Sequence, residues 1–422
     1  MVKVKIPYGE KYIELTIPRE NLLGVLEPRK IPPLTDPVSA LRKSLRKPLN
    51  KKPLKTLVKP GDKVAIVIDD ITRPLPSKVL LPVILEELEQ GGVKREDITI
   101  IIATGIHRPI TEDEAKYLMG DLIAKNYRWV NHDCDSYDLV FVGKTRFGNE
   151  VYINRIYAEA DVKIIVSDVT LHYYAGYGGG PKSIVPGIAG RKTIYYNHSF
   201  MFKKGARIGS TEGNPVFEDI MEGAKLAGVD FTVCVVLNAR KEIIGIFSGD
   251  LEAAFYSGVQ LLDKMCKIPI KEKADIVISS PGGFPFDINL YQAHKGLYTA
   301  EYATKDGGTI FLIAECRNGF GNDTFITWMK KYWEYEEIMK KLKKRFILGA
   351  HKAFYVKRAV SRYRIYLYSS LDENVVRNIL GMIPTENVQT ALFNELKKKP
   401  NAKILVMPYA TETLPILKNG SD

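Results

Sequence analysis

Four segments of the chain carry side chains whose types and spacing suit chemistry. In VAIVIDDITRPLP, Asp70, Thr72 and Arg73 follow directly on an apolar run, the place where open α/β sheets hold their ligands. A guanidinium there can grip a carboxylate through two parallel hydrogen bonds while a neighbouring aspartate orients it. A purely structural Arg–Asp turn is the competing explanation. In IIIATGIHRPITEDE, His107 stands between an apolar strand and a capped helix. An imidazole that titrates near neutrality suits a general acid or base. His132, in VNHDCD, is a weaker case of the same kind and reads as structural.

The densest constellation is SDVTLHYYAGYGGGPKSIVPGIAGRKTIYYNHS, where His172, Lys182 and His198 flank a run containing Gly176, Gly178, Gly179 and Gly180. Clustered glycines permit positive φ and bring backbone amides close to a phosphate, so a nucleotide-bearing ligand is expected. Gly176, Pro181, Lys182 and Ser183 nearly spell a P-loop, but Pro181 replaces the final glycine and removes an amide donor, which argues against an ordinary NTPase. The fourth segment is SSPGGFPFDINLYQAHKGL, in which Gln292 and Lys295 lie three apart and share one side of a helix's first turn. The helix dipole and the lysine would act together there on an anion, with His294 facing elsewhere. Tyr173, Tyr174, Tyr177 and Tyr291 are either pocket walls or core aromatics.

The elements that must position these residues read as α/β. Apolar runs at Lys63 to Asp69, Ile98 to Ala103, Leu139 to Val142, Val162 to Ser167 and Phe231 to Leu237 alternate with helical patterns, the signature of mainly parallel sheets covered by helices. One helix runs from near Ser77 to Gly91, and another opens with Thr111 and Glu114 at capping-box spacing. After a helix over Leu251 to Lys267, the segment IPIKEKA precedes a second strand series at Asp275 to Ser279, Thr309 to Ala314, Arg364 to Tyr368 and Lys403 to Met407. Two α/β domains are therefore expected, residues 1–268 and 269–422, with the active-site cleft between them.

The 422 residues are 45% hydrophobic and 26% charged, which suits globular domains with sizeable cores. No stretch approaches the ~20 apolar residues of a membrane span, and the N-terminus alternates like a strand, unlike a signal peptide. Four scattered cysteines without paired spacing fit a reducing cytoplasm. Basic residues outnumber acids by 61 to 49, for a net charge of +12. That surplus could serve nucleic acid or a small anion, but no nucleic-acid motif accompanies the basic runs.

Taken together, DDITRP, ATGIHR, the His172 to His198 segment and NLYQAHK resemble the signature segments of the nickel-pincer lactate racemase family, in the right order over roughly residues 65 to 300. The resemblance implies a 2-hydroxy-acid racemase whose cofactor is a nickel-pincer nucleotide, a pyridinium mononucleotide with sulfur and carbon donors to nickel. It assigns Lys182 to the covalent tether, His198 to the nickel, His107 and His172 to the paired bases, and Arg73 and Lys295 to the substrate. Asp70 and Gln292 become supporting polar positions, Thr72 and Gly178 to Gly180 cofactor contacts, and Tyr291 a substrate neighbour. The implied reaction moves the C2 hydrogen as hydride and passes through a planar 2-keto acid, avoiding a carbanion beside a carboxylate. The implied partners are a small 2-hydroxy acid and the proteins that build the cofactor, with neither nucleic acid nor membrane. Three alternatives are a sugar-acid 2-epimerase using the same cofactor, a basic nucleic-acid-binding protein, and a hydrolase with His107, His172 and His198 on one zinc ion.

Overall fold

The computed structural model describes residues 1–418. The chain forms two compact units, Ile31–Asp263 and a second composed of Met1–Lys30 with the chain from Lys264 onward.

In the Ile31–Asp263 unit a six-stranded sheet has the order Ile243–Gly249, Phe231–Leu237, Val162–Asp168, Val64–Asp69, Ile98–Ala103, Arg128–Asn131. Only the first pair is antiparallel. The VAIVID strand is buried at all six residues, as its unbroken apolar run requires of a strand covered on both faces. The register pairs Asp69 with Ala103, Ile68 with Val166 and Asp168 with Val235. Neighbouring strands thus end at nearly one level, and the loops after them emerge side by side. Helix Ser77–Gln90 stops at Gly91, and helix Glu112–Met119 begins at Thr111 with its reciprocal Thr111–Glu114 capping box formed. The expected strand near Leu139 exists as Val140–Lys144, but it pairs only with Glu150–Ile153 in a half-exposed hairpin outside the sheet.

In the second unit, Ile383–Pro384, Arg364–Tyr368, Thr304–Ile313, Ala274–Ser279, Ile404–Met407 and Leu22–Val25 form a six-stranded, wholly parallel sheet. The first thirty residues, grouped with residues 31–268 when the chain is read in order, belong structurally here. Leu22–Val25 hydrogen-bonds along Ile404–Met407, and the Val2–Tyr8/Lys11–Ile17 hairpin adds Val4, Ile6, Leu15 and Ile17 to a core with Ile276, Ile278 and Phe311. The division falls between Asp263 and Lys264, inside the last turn of helix Leu251–Cys266. Lys267–Ile270, read as linker, is a short strand beside Leu414–Leu417. Among the described residues no helix is long and apolar enough to cross a membrane.

Candidate active site

The site residues of the Ile31–Asp263 unit gather where three adjacent parallel strands end. Asp70, the residue after Val64–Asp69, accepts from the Thr72 amide at 3.1 Å and the Thr72 hydroxyl at 2.5 Å through Oδ1. Its Oδ2 lies 2.7 Å from His107 Nδ1. Burial pushes the Asp70 carboxyl up, but the hydrogen bond and charge of His107, with Thr72 and Arg73, hold it below its ordinary value. An ionised carboxylate only accepts, so His107 Nδ1 carries a proton, and in the neutral ring Nε2 is the nitrogen with the free lone pair. An oriented imidazole of this kind is a general base, and the His107 side chain is 36% exposed.

The turn that carries His107 rests on the loop that carries Lys182. Gly105, at φ +55°, donates its amide to Gly187 O at 2.9 Å, and the Gly187 amide donates to Lys182 O at 3.0 Å. The glycine run draws this loop onto the end of strand Val162–Asp168. Gly180 N donates to Ser167 Oγ at 2.7 Å. A Cβ on Gly179 would lie 2.1 Å from Asp168 O, one on Gly180 2.3 Å from the Phe255 ring, and one on Gly178 2.6 Å from Thr170 Oγ1. Protein therefore fills the space on the Cβ side of these glycines. The amide of Gly180, expected to face a phosphate, is already engaged by Ser167.

Lys182 is half-buried at the head of this loop. Burial, helped by the charge of Arg73 and opposed by that of Asp69, pulls its ammonium down to about 7. A large share of the side chain is then a free, nucleophilic amine at neutral pH.

His172 ends strand Thr170–His172, which pairs with Gly176–Gly178. The Ala175 amide donates to His172 Nδ1 at 3.2 Å. Nδ1 is therefore an acceptor, and the neutral ring carries its proton on Nε2, the tautomer opposite to that of His107. The His172 ring stacks on Tyr173 at 4.8 Å and meets Tyr174 edge-on at 4.6 Å; Tyr174 in turn meets His198 at 5.5 Å.

His198, 7% exposed, lies in the last turn of helix Arg191–Ser199. Its Nδ1 is 3.2 Å from Asn197 Oδ1. Asn197 Nδ2 donates to Val216 O and to Asp219 Oδ2, and Asp219 also accepts from Thr145 Oγ1 and Asn149 Nδ2. The amide group is thereby oriented with its oxygen toward the imidazole, placing the His198 proton on Nδ1 and leaving Nε2 as the ligand-type nitrogen. Burial, with the charges of Lys182 and His107, pulls His198 down to about 3. A neutral imidazole is the form that binds a borderline metal such as nickel.

Tyr291, Gln292 and Lys295 belong to the other unit, on helix Leu290–Ala300. Asn289 caps that helix by accepting from the Gln292 amide at 3.0 Å. Lys352 Nζ donates to Tyr291 O at 2.7 Å and stands 3.4 Å from the centroid of the Tyr291 ring. His294 is buried on this helix with Nδ1 2.9 Å from Tyr291 O. His132 is a structural histidine, buried with Nε2 2.9 Å from Ala189 O. Tyr177 is a core residue whose hydroxyl donates to Asp263 at 2.6 Å. Among the described residues His107, His172 and His198 do not form a group close enough to hold one metal ion as they stand. The cluster that does converge, Asp133, Cys134 and Asp135, has Asp135 tied to Arg191.

Four residues of this region were not singled out from the sequence: Asp69, Asp168, Asn197 and Asp219. Asp69 and Asp168 end neighbouring strands, and the Asp168 amide donates to Asp69 Oδ2 at 3.2 Å. The signal available for them was an acid closing an apolar strand, twice.

A mainly parallel α/β unit that gathers a lysine held low, a carboxylate-oriented histidine and a buried, neutral histidine at its strand ends marks an α/β enzyme. The particular family follows from comparison. Residues 8–209 match the lactate racemase N-terminal domain and residues 270–412 the lactate racemase C-terminal domain. The chain is 34% identical over 352 residues to a lactate racemase of Thermoanaerobacterium thermosaccharolyticum, covering 82% of each chain. It is 36% identical over 330 residues to a lactate racemase of Lactiplantibacillus plantarum, covering 77% of each. The solved lactate racemase apoprotein from T. thermosaccharolyticum superposes with a TM-score of 0.88 at 30% identity, over 99% of this chain and 100% of that one. The chain belongs to the lactate racemase family, a family of isomerases.

Two predictions follow from the electrostatics. Nitrogen-15 spectra of the unloaded protein, at a pH where both rings are neutral, will show His107 protonated on Nδ1 and His172 on Nε2; the same tautomer in both rings contradicts the assignment. For Lys182, the folded value near 7 lies below the ordinary 10.5, so between these values the unfolded chain binds more protons and stability rises with pH. Urea midpoints of the Lys182→Met variant will therefore exceed wild type at pH 7, with the gap narrowing toward pH 10. Parallel curves would count against a depressed lysine.

Proposed function

We propose that this protein racemises a small 2-hydroxy acid of the lactate kind by moving the C2 hydrogen as hydride, with a nickel-pincer nucleotide tethered to Lys182. The observation that carries the reading is a half-buried, readily deprotonated lysine whose loop is docked against the turn of a carboxylate-oriented histidine, in a chain whose relatives are lactate racemases.

The residues present fit that group. Lys182 offers an amine able to attack a carbonyl-type carbon at neutral pH, and His198 offers a neutral imidazole whose orientation Asn197 and Asp219 fix. When bound, the cofactor supplies a hydride acceptor, so that the substrate need never become a carbanion beside its own carboxylate.

His107 Nε2 takes the hydroxyl proton of one enantiomer, and the imidazolium so formed is held by Asp70. Arg73, exposed in the loop after Val64–Asp69, supplies a guanidinium suited to the carboxylate. The resemblance assigns Lys295 to the substrate as well, and Gln292 and Tyr291 stand near it on helix Leu290–Ala300 as further candidate contacts. His172, with its proton on Nε2, donates toward the oxygen that becomes a carbonyl. Acting as base toward the other enantiomer requires it to move that proton to Nδ1 and release the Ala175 amide. The two directions are thus chemically unequal at the histidines, although the equilibrium is symmetric.

His107→Ala and His172→Ala will each lower turnover by about 10²-fold to 10⁴-fold while intact-mass analysis still finds the adduct after loading. Lys182→Ala will lose the adduct altogether. Full activity in either histidine variant contradicts the two-base scheme, and an adduct surviving in Lys182→Ala contradicts the tether.

A further inference from the structure

Asp69 and Asp168 have no part in the scheme above, yet the turn that carries its lysine packs on Asp168 and the lysine feels the charge of Asp69. Both are buried, at 9% and 1% exposure. Their carboxyls lie within hydrogen-bonding reach of each other, and the Asp168 amide steadies Asp69 Oδ2 at 3.2 Å. Asp168 Oδ2 has no conventional hydrogen-bond donor. A buried anionic oxygen without a donor is costly, and two adjoining carboxylates do not both ionise readily. One proton held between the carboxyls answers both problems.

The groups facing the pair come from every neighbouring element. Arg73, in the loop after Val64–Asp69, and Lys182, in the glycine turn seated on Ser167 and Asp168, act on Asp69 through their charges. Cys234, on the adjoining strand, is pushed up to about 12 by burial and is a neutral thiol, while His198 is neutral as described. The charges to be balanced are therefore two carboxyls, one guanidinium and one lysine. With both carboxyls ionised and Lys182 protonated, the sum is zero. Moving the lysine proton onto the pair leaves one shared negative charge against Arg73, and the sum is again zero. The second arrangement also gives Asp168 Oδ2 its partner. Burial of the lysine and of the carboxyls drives the proton the same way, pushing Asp69 well above its ordinary value.

We propose that the proton an ordinary lysine would carry rests instead on the Asp69–Asp168 pair, so that Lys182 stands in the unloaded protein as a free amine ready for acylation. The step breaks one N–H bond, leaves the electron pair on Nζ and places the proton between two carboxyl oxygens, with no other reactant. Its use in acylation rests on the tether reading; the location of the proton does not.

The test uses the unloaded full-length protein. Infrared spectra at pH 7.5 will show the carbonyl stretch of a protonated carboxyl in wild type that is missing from both Asp69→Asn and Asp168→Asn. Trace acetylation with acetic anhydride, read at Lys182 by peptide mass spectrometry, will reach half its limiting rate near pH 7. At pH 8 the rate, relative to that limit, will exceed that of a surface lysine by about three-hundredfold. Acetylating Lys182 fully will leave the carboxyl band in place. Absence of the band in wild type, a band that appears only after acetylation, or a Lys182 rate that climbs to pH 10.5 like a surface lysine would each overturn the proposal. The wild-type measurements stand even if a variant fails to fold. Should the band and early acetylation be found while loading leaves no adduct, the tether reading falls and the proton assignment survives.

Discussion

The hydrogen bond from the Gly180 amide to the Ser167 hydroxyl is the contact on which the proposed site depends. It holds the loop of Lys182 against the end of a buried strand at a spacing that leaves no room for a Cβ on Gly179 or Gly180. From that anchor the loop continues to Gly187, whose carbonyl receives Gly105 and so locates the turn of His107. Three strand ends are tied into one surface, by main-chain bonds through Gly187 and by the Ser167 hydroxyl and the Asp70–His107 pair. Catalytic groups mounted in this way are held more narrowly than groups on a free loop.

Desolvation does the second part of the work. The same burial lowers Lys182 and His198 and raises Asp69 and Asp168, so each group is moved toward its neutral form. Asp70, close by, departs from this pattern because His107 and Thr72 hydrogen-bond its charged form. Two aspartates adjacent in sequence are thereby given different tasks. One stays ionised to orient a base, and the other shares a proton beside a nucleophile. Opposite faces of one strand end, with different donors on each, account for the difference.

Much of this could be read from the sequence, and the exceptions have a common cause. The strands VAIVID, ITIIIA and FTVCVVL announce themselves because burial on both faces demands unbroken apolar runs, and the Thr111 capping box is a local signal. The residue types of Lys182, His107, His172 and His198 were legible in the same way. The placement of residues 1–30 was not, because Leu22 pairs with Ile404 across nearly the whole chain, and a parallel pairing leaves no turn to mark it. Asp69 and Asp168 were missed because their contact depends on register between strands separated by about a hundred residues. The glycines were read for a phosphate; the structure adds a packing duty, close approach to Asp168, Phe255 and Thr170, that composition cannot distinguish from the other.

The central claim is that the hydroxyl proton and the C2 hydrogen leave the substrate by separate routes, the first to an imidazole and the second as hydride that never meets water. Racemisation of a single lactate enantiomer by the loaded enzyme in deuterium oxide tests it directly, with proton NMR of C2 at equilibrium as the readout. The account predicts that both enantiomers accumulate with protium retained at C2. Deuterium at C2 in the product would mean that the hydrogen departs as a proton and exchanges with solvent, contradicting the account.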